Sequence, residues 1–133
     1  MPRYLLDTNT LIYARKRQGL CLARLDSHAA ETLAWSVISL QELHLGAAKS
    51  TAPGGMLAYI DSLRQRYALM DYGATSAQRA GELQAALQRQ GTPIGGNDLQ
   101  IAAIALAHDL TVVTHNTREF ARVPGLRVED WYA

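Results

Sequence analysis

Short apolar runs of strand length alternate along this chain with stretches whose apolar residues recur at helical spacing. That alternation restricts the fold more than any other feature. Tyr4–Leu6, Trp35–Val37, Tyr67–Met70, Leu110–Val113 and Leu126–Val128 read as strands. Thr8–Lys16, Leu22–Leu33, Ser39–Lys49, Met56–Arg66, Thr75–Gln90 and Leu99–His108 read as helices. The last of these is almost entirely apolar, so it belongs in the interior. Strands that alternate with helices predict an α/β/α sandwich with a short, mostly parallel central sheet. In such sheets the binding crevice lies outside the carboxyl ends of the strands.

The chain has 133 residues, the size of one domain, and 48% hydrophobic against 19% charged residues supports a packed core. The formal net charge is +1, so any nucleic-acid contact has to come from a local patch. Cys21 is the only cysteine, which excludes an internal disulfide and a cysteine-based zinc cluster. The longest apolar run, "IAAIALA", is far too short for a membrane span, and the N-terminus carries no signal-peptide core. The expectation is a soluble cytoplasmic protein. The Gly- and Pro-bearing loops around Gly19, at 50–56 and at 90–98 are short turns within one domain, 1–133.

Acids gather where the predicted crevice lies. Asp7 ends the first strand in "LLDTN". Glu42 follows the second strand in "SVISLQELHLG", Asp98 opens the apolar helix in "IGGNDLQIAAIAL", and Asn116 and Glu119 follow the fourth strand in "VVTHNTREF". Singly, each reads as helix capping. Asp7 and Asn97 or Asp98 are cap residues, and Ser39-x-x-Glu42 and Asn116-x-x-Glu119 resemble capping boxes. Capping does not predict that several acids converge at one end of a sheet. Clustered carboxylates repel unless a cation intervenes, and oxygen ligands of this kind suit Mg²⁺ or Mn²⁺. A metal-dependent nuclease is the sharper reading.

These four blocks, in this order and spacing, resemble the PIN-domain ribonucleases, and among them the VapC-type toxins of bacterial toxin–antitoxin modules. The resemblance covers essentially the whole chain, and "NTREFARVPGLRVEDW" is its most specific block. It implies a PIN-like fold and a Mg²⁺- or Mn²⁺-dependent endoribonuclease that cuts RNA, in many relatives a structured RNA such as tRNA. It implies Asp7, Glu42 and Asp98 as metal ligands and catalytic acids, and Asn9 as a group orienting Asp7 or a water. The family's fourth acid falls where this chain has Asn116. Its role then passes to Glu119, or Asn116 holds a water. A homodimer and a cognate VapB-type antitoxin are also implied, with DNA reached only through the antitoxin.

Other residues read more plainly. Thr8, Asn116 and Thr117 either bond a phosphate or cap helices. Arg15, Lys16 and Arg17 read as a solvated helix end, with a phosphate contact as the sharper alternative. Arg118 and Arg122 flank the site loop. Trp35 and Trp131 read as packing residues. His28, His44, His108 and His115 lack zinc spacing, and although His115 is nearer the acids, proton transfer is the weaker reading of it. The rival from another class is a catalytically weak PIN-like protein-binding or regulatory module, which the neutral Asn116 favours.

Overall fold

A computed structural model describes all 133 residues. The strands are β1 (Tyr4–Leu6), β2 (Leu33–Ser36), β3 (Ala68–Met70), β4 (Thr111–Val113) and β5 (Val128–Glu129). The helices are α1 (Thr8–Lys16), α2 (Cys21–Asp26), α3 (Val37–Lys49), α4 (Gly54–Arg66), α5 (Ala74–Arg89), α6 (Gly96–His108) and the single turn α7 (Thr117–Phe120). The five strands form one sheet in the order β3-β2-β1-β4-β5. Every neighbouring pair is parallel.

The central strands β1, β2 and β4 are buried on both faces, so successive residues feed opposite cores, while the edge strands β3 and β5 are partly exposed. Leu5, Ala34 and Val112 join Leu83 and Leu87 of α5 and Ile101, Ala102 and Ile104 of α6. Leu6, Trp35 and Val113 join Leu11 of α1, Leu43 of α3, and Ile60 and Leu63 of α4. Helix α6 buries six of its residues, as its apolar sequence predicts. Trp35 and Trp131 are buried packing residues.

The segment Leu22–Leu33 departs from its helical reading. Helix α2 ends at Asp26, a 3-10 turn covers Ala30–Thr32, and Leu33 already pairs with Tyr4 in the sheet. The Ser27 hydroxyl donates to the Arg24 carbonyl at 2.6 Å, which terminates the helix with a local bond. Pairing with β1 then overrides helix propensity. The second strand is accordingly longer at its start, and α3 begins at Val37, capped by the Ser36 hydroxyl.

The strand order reverses beside β1. The chain runs β1, β2, β3 to one side and then returns to place β4 on the other. The crevice at the carboxyl ends of β1 and β4 is therefore the topological switch point of the sheet.

Candidate active site

Asp7 leaves β1 directly into the N-cap of α1. Its backbone N–H donates to the Val113 carbonyl at 3.0 Å, so the strand end is pinned to β4. Its carboxylate is held from two sides. Oδ1 accepts from the Thr10 backbone N–H at 2.9 Å, and Oδ2 accepts from the Thr114 hydroxyl at 2.6 Å. Asp7 is 4% exposed. Burial raises its pKa, and the bonds from Thr114 and Thr10 oppose that rise. Asp7 is thus a helix cap, yet its second oxygen is bonded by a residue 107 positions away, which capping does not require.

Glu42 sits on α3, and its Oε1 lies 2.6 Å from the Thr8 hydroxyl. The same hydroxyl lies 2.9 Å from Ser39 Oγ. A threonine has one hydroxyl proton, and a carboxylate is the stronger acceptor. Thr8 therefore donates to Glu42, and Ser39 donates to Thr8. Ser39 is fully buried, so this chain fixes Glu42 from below. A capping box at Ser39 is excluded because Ser36 caps the helix.

Asp98 lies in the first turn of α6, whose cap position is Gly95 with no side-chain cap. Asn116 follows β4, and its Nδ2 donates to Asp98 Oδ2 at 3.2 Å and to Glu119 Oε2 at 2.9 Å. Glu119 Oε1 accepts the Gly95 backbone N–H at 2.5 Å, tying α7 to the start of α6. Burial, together with the negative charge of Glu119, Asp7 and Glu42, pushes the Asp98 pKa up to about 7. The Glu119 pKa is lowered by the bonds from Gly95 and Asn116. The pair divides its labour by environment: the more enclosed acid holds the proton and the better-bonded one stays ionised.

Residues 4–126 match the PIN domain family. The chain belongs to that family. Over 131 residues it is 40% identical to the tRNA(fMet)-specific endonuclease VapC of Salmonella typhimurium, covering 98% of this chain and 99% of that protein. Over 132 residues it is 41% identical to Ribonuclease VapC2 of Haemophilus influenzae, again covering 98% and 99%. The DNA-bound VapBC structure from Salmonella typhimurium superposes with a TM-score of 0.91 at 40% identity, covering 98% and 99%. VapBC2 from Rickettsia felis, bound to a promoter DNA fragment, superposes with a TM-score of 0.88 at 36% identity, covering 96% and 98%. The chain is a VapC-type ribonuclease toxin of the PIN-domain class, and its sheet and helix layers are those of that class.

In this PIN domain Asp7, Glu42, Asp98, Asn116 and Glu119 all come from the carboxyl end of the sheet. Asn9 and Thr117 do not join them: both are exposed, and neither touches an acid. Asp7 is oriented instead by Thr10 and by Thr114, which sequence reasoning missed. The only available signal was a hydroxyl residue closing a β-branched run. Asn116 presents its amide nitrogen to two carboxylates, so it acts as a clamp between acids.

The ion pairs of the fold lie elsewhere, at Arg66–Asp26, His115–Asp130 and Arg127–Asp109. The acids at the switch point have no such cation. As the side chains stand, no three of them close on one point at coordinating distance. The donor set is all oxygen, without histidine or cysteine. It fits a hard divalent ion that takes one or two carboxylates directly and keeps several waters, as Mg²⁺ does.

The raised Asp98 pKa fixes a sign for stability. The folded state binds a proton there that the unfolded chain has released, so stability falls as pH rises from about 4 toward 7. Asp7, also raised, adds to this slope. Glu119, lowered, acts the other way and only below its ordinary range. In the presence of chelator, Tm falls between pH 5 and pH 7, and Asp98→Asn flattens that fall. An unchanged slope in Asp98→Asn contradicts the shifted carboxyl.

Proposed function

We propose that this chain hydrolyses RNA phosphodiester bonds with Mg²⁺ or Mn²⁺, as the endoribonuclease toxin of a type II toxin–antitoxin pair. The observation that carries this reading is the set of four carboxylates at the switch point with no ion pair among them, Arg122 being near enough only to favour ionised Glu119. Asp7, Glu42 and Asp98 would hold the ion, one or two of them directly and the others through its waters, and Glu119, fixed by Asn116 and Gly95, would add a further carboxylate. When bound there, such an ion would supply an activated water and charge stabilisation on the phosphate oxygens. The protein's own work is to keep these carboxylates oriented and ready to ionise. Thr10 and Thr114 orient Asp7, Thr8 and Ser39 orient Glu42, and Asn116 holds Asp98 and Glu119 side by side. The names of the Salmonella relative and its structure support transfer RNA as the substrate class and a VapB-type antitoxin as the partner. DNA engaged only through the antitoxin accords with the DNA-bound VapBC structures, and a homodimer is part of the same proposal.

A binding module without catalysis has its support in the neutral Asn116 alone. The clamp that Asn116 makes between two acids is organisation such a module does not need. Cleavage of total cellular RNA by the purified protein tests the proposal. Discrete fragments with Mg²⁺ or Mn²⁺, and none with chelator, are expected. Intact RNA under all conditions, from folded protein, overturns it in favour of the binding module.

The division between Glu119 and Asn116 is separable. Glu119→Gln removes a charge and raises the metal concentration needed for half-maximal cleavage, by roughly tenfold. Asn116→Asp adds a carboxylate and lowers it. A metal titration that does not move in Glu119→Gln, with cleavage abolished in Asn116→Ala, reverses the two roles.

A further inference from the structure

Two stacks of aromatic and imidazole rings are built on the C-terminal residues, one on each side of the tail. Trp131 stacks on His28 with centroids 4.4 Å apart, beside Tyr4. Trp131 is buried, so this stack is packing. Tyr132 stacks on His115 at 4.3 Å and 20°, and Tyr13 meets both rings edgewise at 4.9 and 5.8 Å. This second stack is different in kind. The His115 side chain is 43% exposed. It stands between Thr114, which bonds Asp7, and Asn116, which bonds Asp98 and Glu119.

The three centroid distances show which face of the imidazole no aromatic ring covers. If Tyr13 lay across His115 from Tyr132, its distance to Tyr132 would be near the sum of the other two separations. It is only 4.9 Å, so Tyr13 flanks the stack on the Tyr132 side. Tyr132 covers one face of His115, and no aromatic ring of the chain covers the other.

The stack is also held rigidly. His115 Nδ1 lies 3.0 Å from Asp130 Oδ2, and the Tyr132 backbone N–H donates to Asp130 Oδ1 at 2.9 Å. The Tyr132 carbonyl accepts from Leu20 N–H at 2.8 Å. Gly19 has φ +61°, and a Cβ there would come within 2.5 Å of the Tyr132 carbonyl oxygen. A ring fixed in this way loses little freedom when a second ring settles on it. Lys16 and Arg17, exposed and without ion-pair partners, end the helix that carries Tyr13 and add positive charge to that element. Stacking surfaces bordered by cations are how proteins hold unpaired nucleotides.

We propose that the face of His115 turned away from Tyr132 is a platform on which one unpaired nucleobase of the RNA stacks next to the scissile phosphate. The proposal rests on the ribonuclease reading above and adds a substrate-positioning group to it. His115 does not act on the reacting atoms. It holds the strand in register with Asp7 and Asp98.

The test uses a short single-stranded oligoadenylate carrying a fluorescent adenine analogue, with chelator present so that nothing is cut. Binding to the wild-type protein quenches the base. His115→Ala weakens binding about tenfold and loses the quench, with an unchanged Tm. His115→Tyr and Tyr132→Phe, which keep the rings, restore both. His28→Ala, in the buried stack, behaves as wild type. With cleavable RNA, His115→Ala raises KM and leaves kcat within about twofold. Wild-type binding and quenching in His115→Ala, from a protein that cleaves RNA, overturns the platform and leaves the ribonuclease reading standing. A wild-type protein that cleaves no RNA overturns both.

Discussion

Asp7→Asn removes RNA cleavage, by about a hundredfold or more, from a protein that melts no lower than wild type. The substitution keeps the size of the side chain, and asparagine caps a helix about as well as aspartate. Its amide oxygen still accepts the Thr10 N–H, and its nitrogen faces the Thr114 hydroxyl, which can turn its proton away. A buried charge is lost, and with it the desolvation that raises the Asp7 pKa. Stability is therefore held or increased while the ligand charge is gone. The measurement is cleavage of one defined RNA, with Tm taken on the same preparation. Full activity in a folded Asp7→Asn protein rules Asp7 out as a ligand and leaves it a helix cap.

Thr114→Val costs both stability and activity. Thr114 is completely buried, donates to Asp7 at 2.6 Å and accepts the Asn116 backbone N–H at 2.9 Å. Valine has the same shape and neither function. A buried carboxylate loses its charge-assisted bond, and a backbone N–H loses its acceptor, which together cost about 2–3 kcal/mol. The expected fall in Tm is roughly 6–12 °C. The Thr114 bond also holds the Asp7 pKa down against burial, so its loss moves the activity profile to higher pH. Cleavage at neutral pH falls about tenfold or more. Thr114→Ser, which keeps the hydroxyl, restores the profile. A Thr114→Val enzyme with the wild-type pH profile means that the bond to Asp7 has no bearing on catalysis.

What could be read from the sequence divides by distance along the chain. Asp7 and Asp98 could be found because a strand end and a first helical turn place them at one edge of a parallel sheet, and Glu42 because it lies a little over one turn into the helix that follows β2. Thr114, Ser36 and Ser39 could not, because a hydroxyl acquires its meaning from a partner. Thr114 meets Asp7 across 107 positions, and Ser39 meets Thr8 across 31. Asn9, adjacent to Thr8, looked like the orienting group, but the helical turn carries it into solvent. Leu22–Leu33 was misread for a related reason: a leucine-rich run favours helix until β1 offers Leu33 and Ala34 a parallel neighbour. The turn Thr117–Phe120 is four residues long, too short to show a period.

Asp7 waits almost the whole chain for Thr114, and β4 has to enter the sheet on the far side of β1 before the two can meet. Synthesis delivers the N-terminal acid first and its partners last. Thr114, Asn116 and Glu119 all lie within the final fifth of the 133 residues. A ribosome making this protein is thus working within reach of a chain meant to destroy RNA, yet the weapon is not assembled until β4 and the turn after it have been made. Products that stop before β4 can carry Asp7, Glu42 and Asp98, but they lack Thr114, Asn116 and Glu119, which hold Asp7 and Asp98 in place.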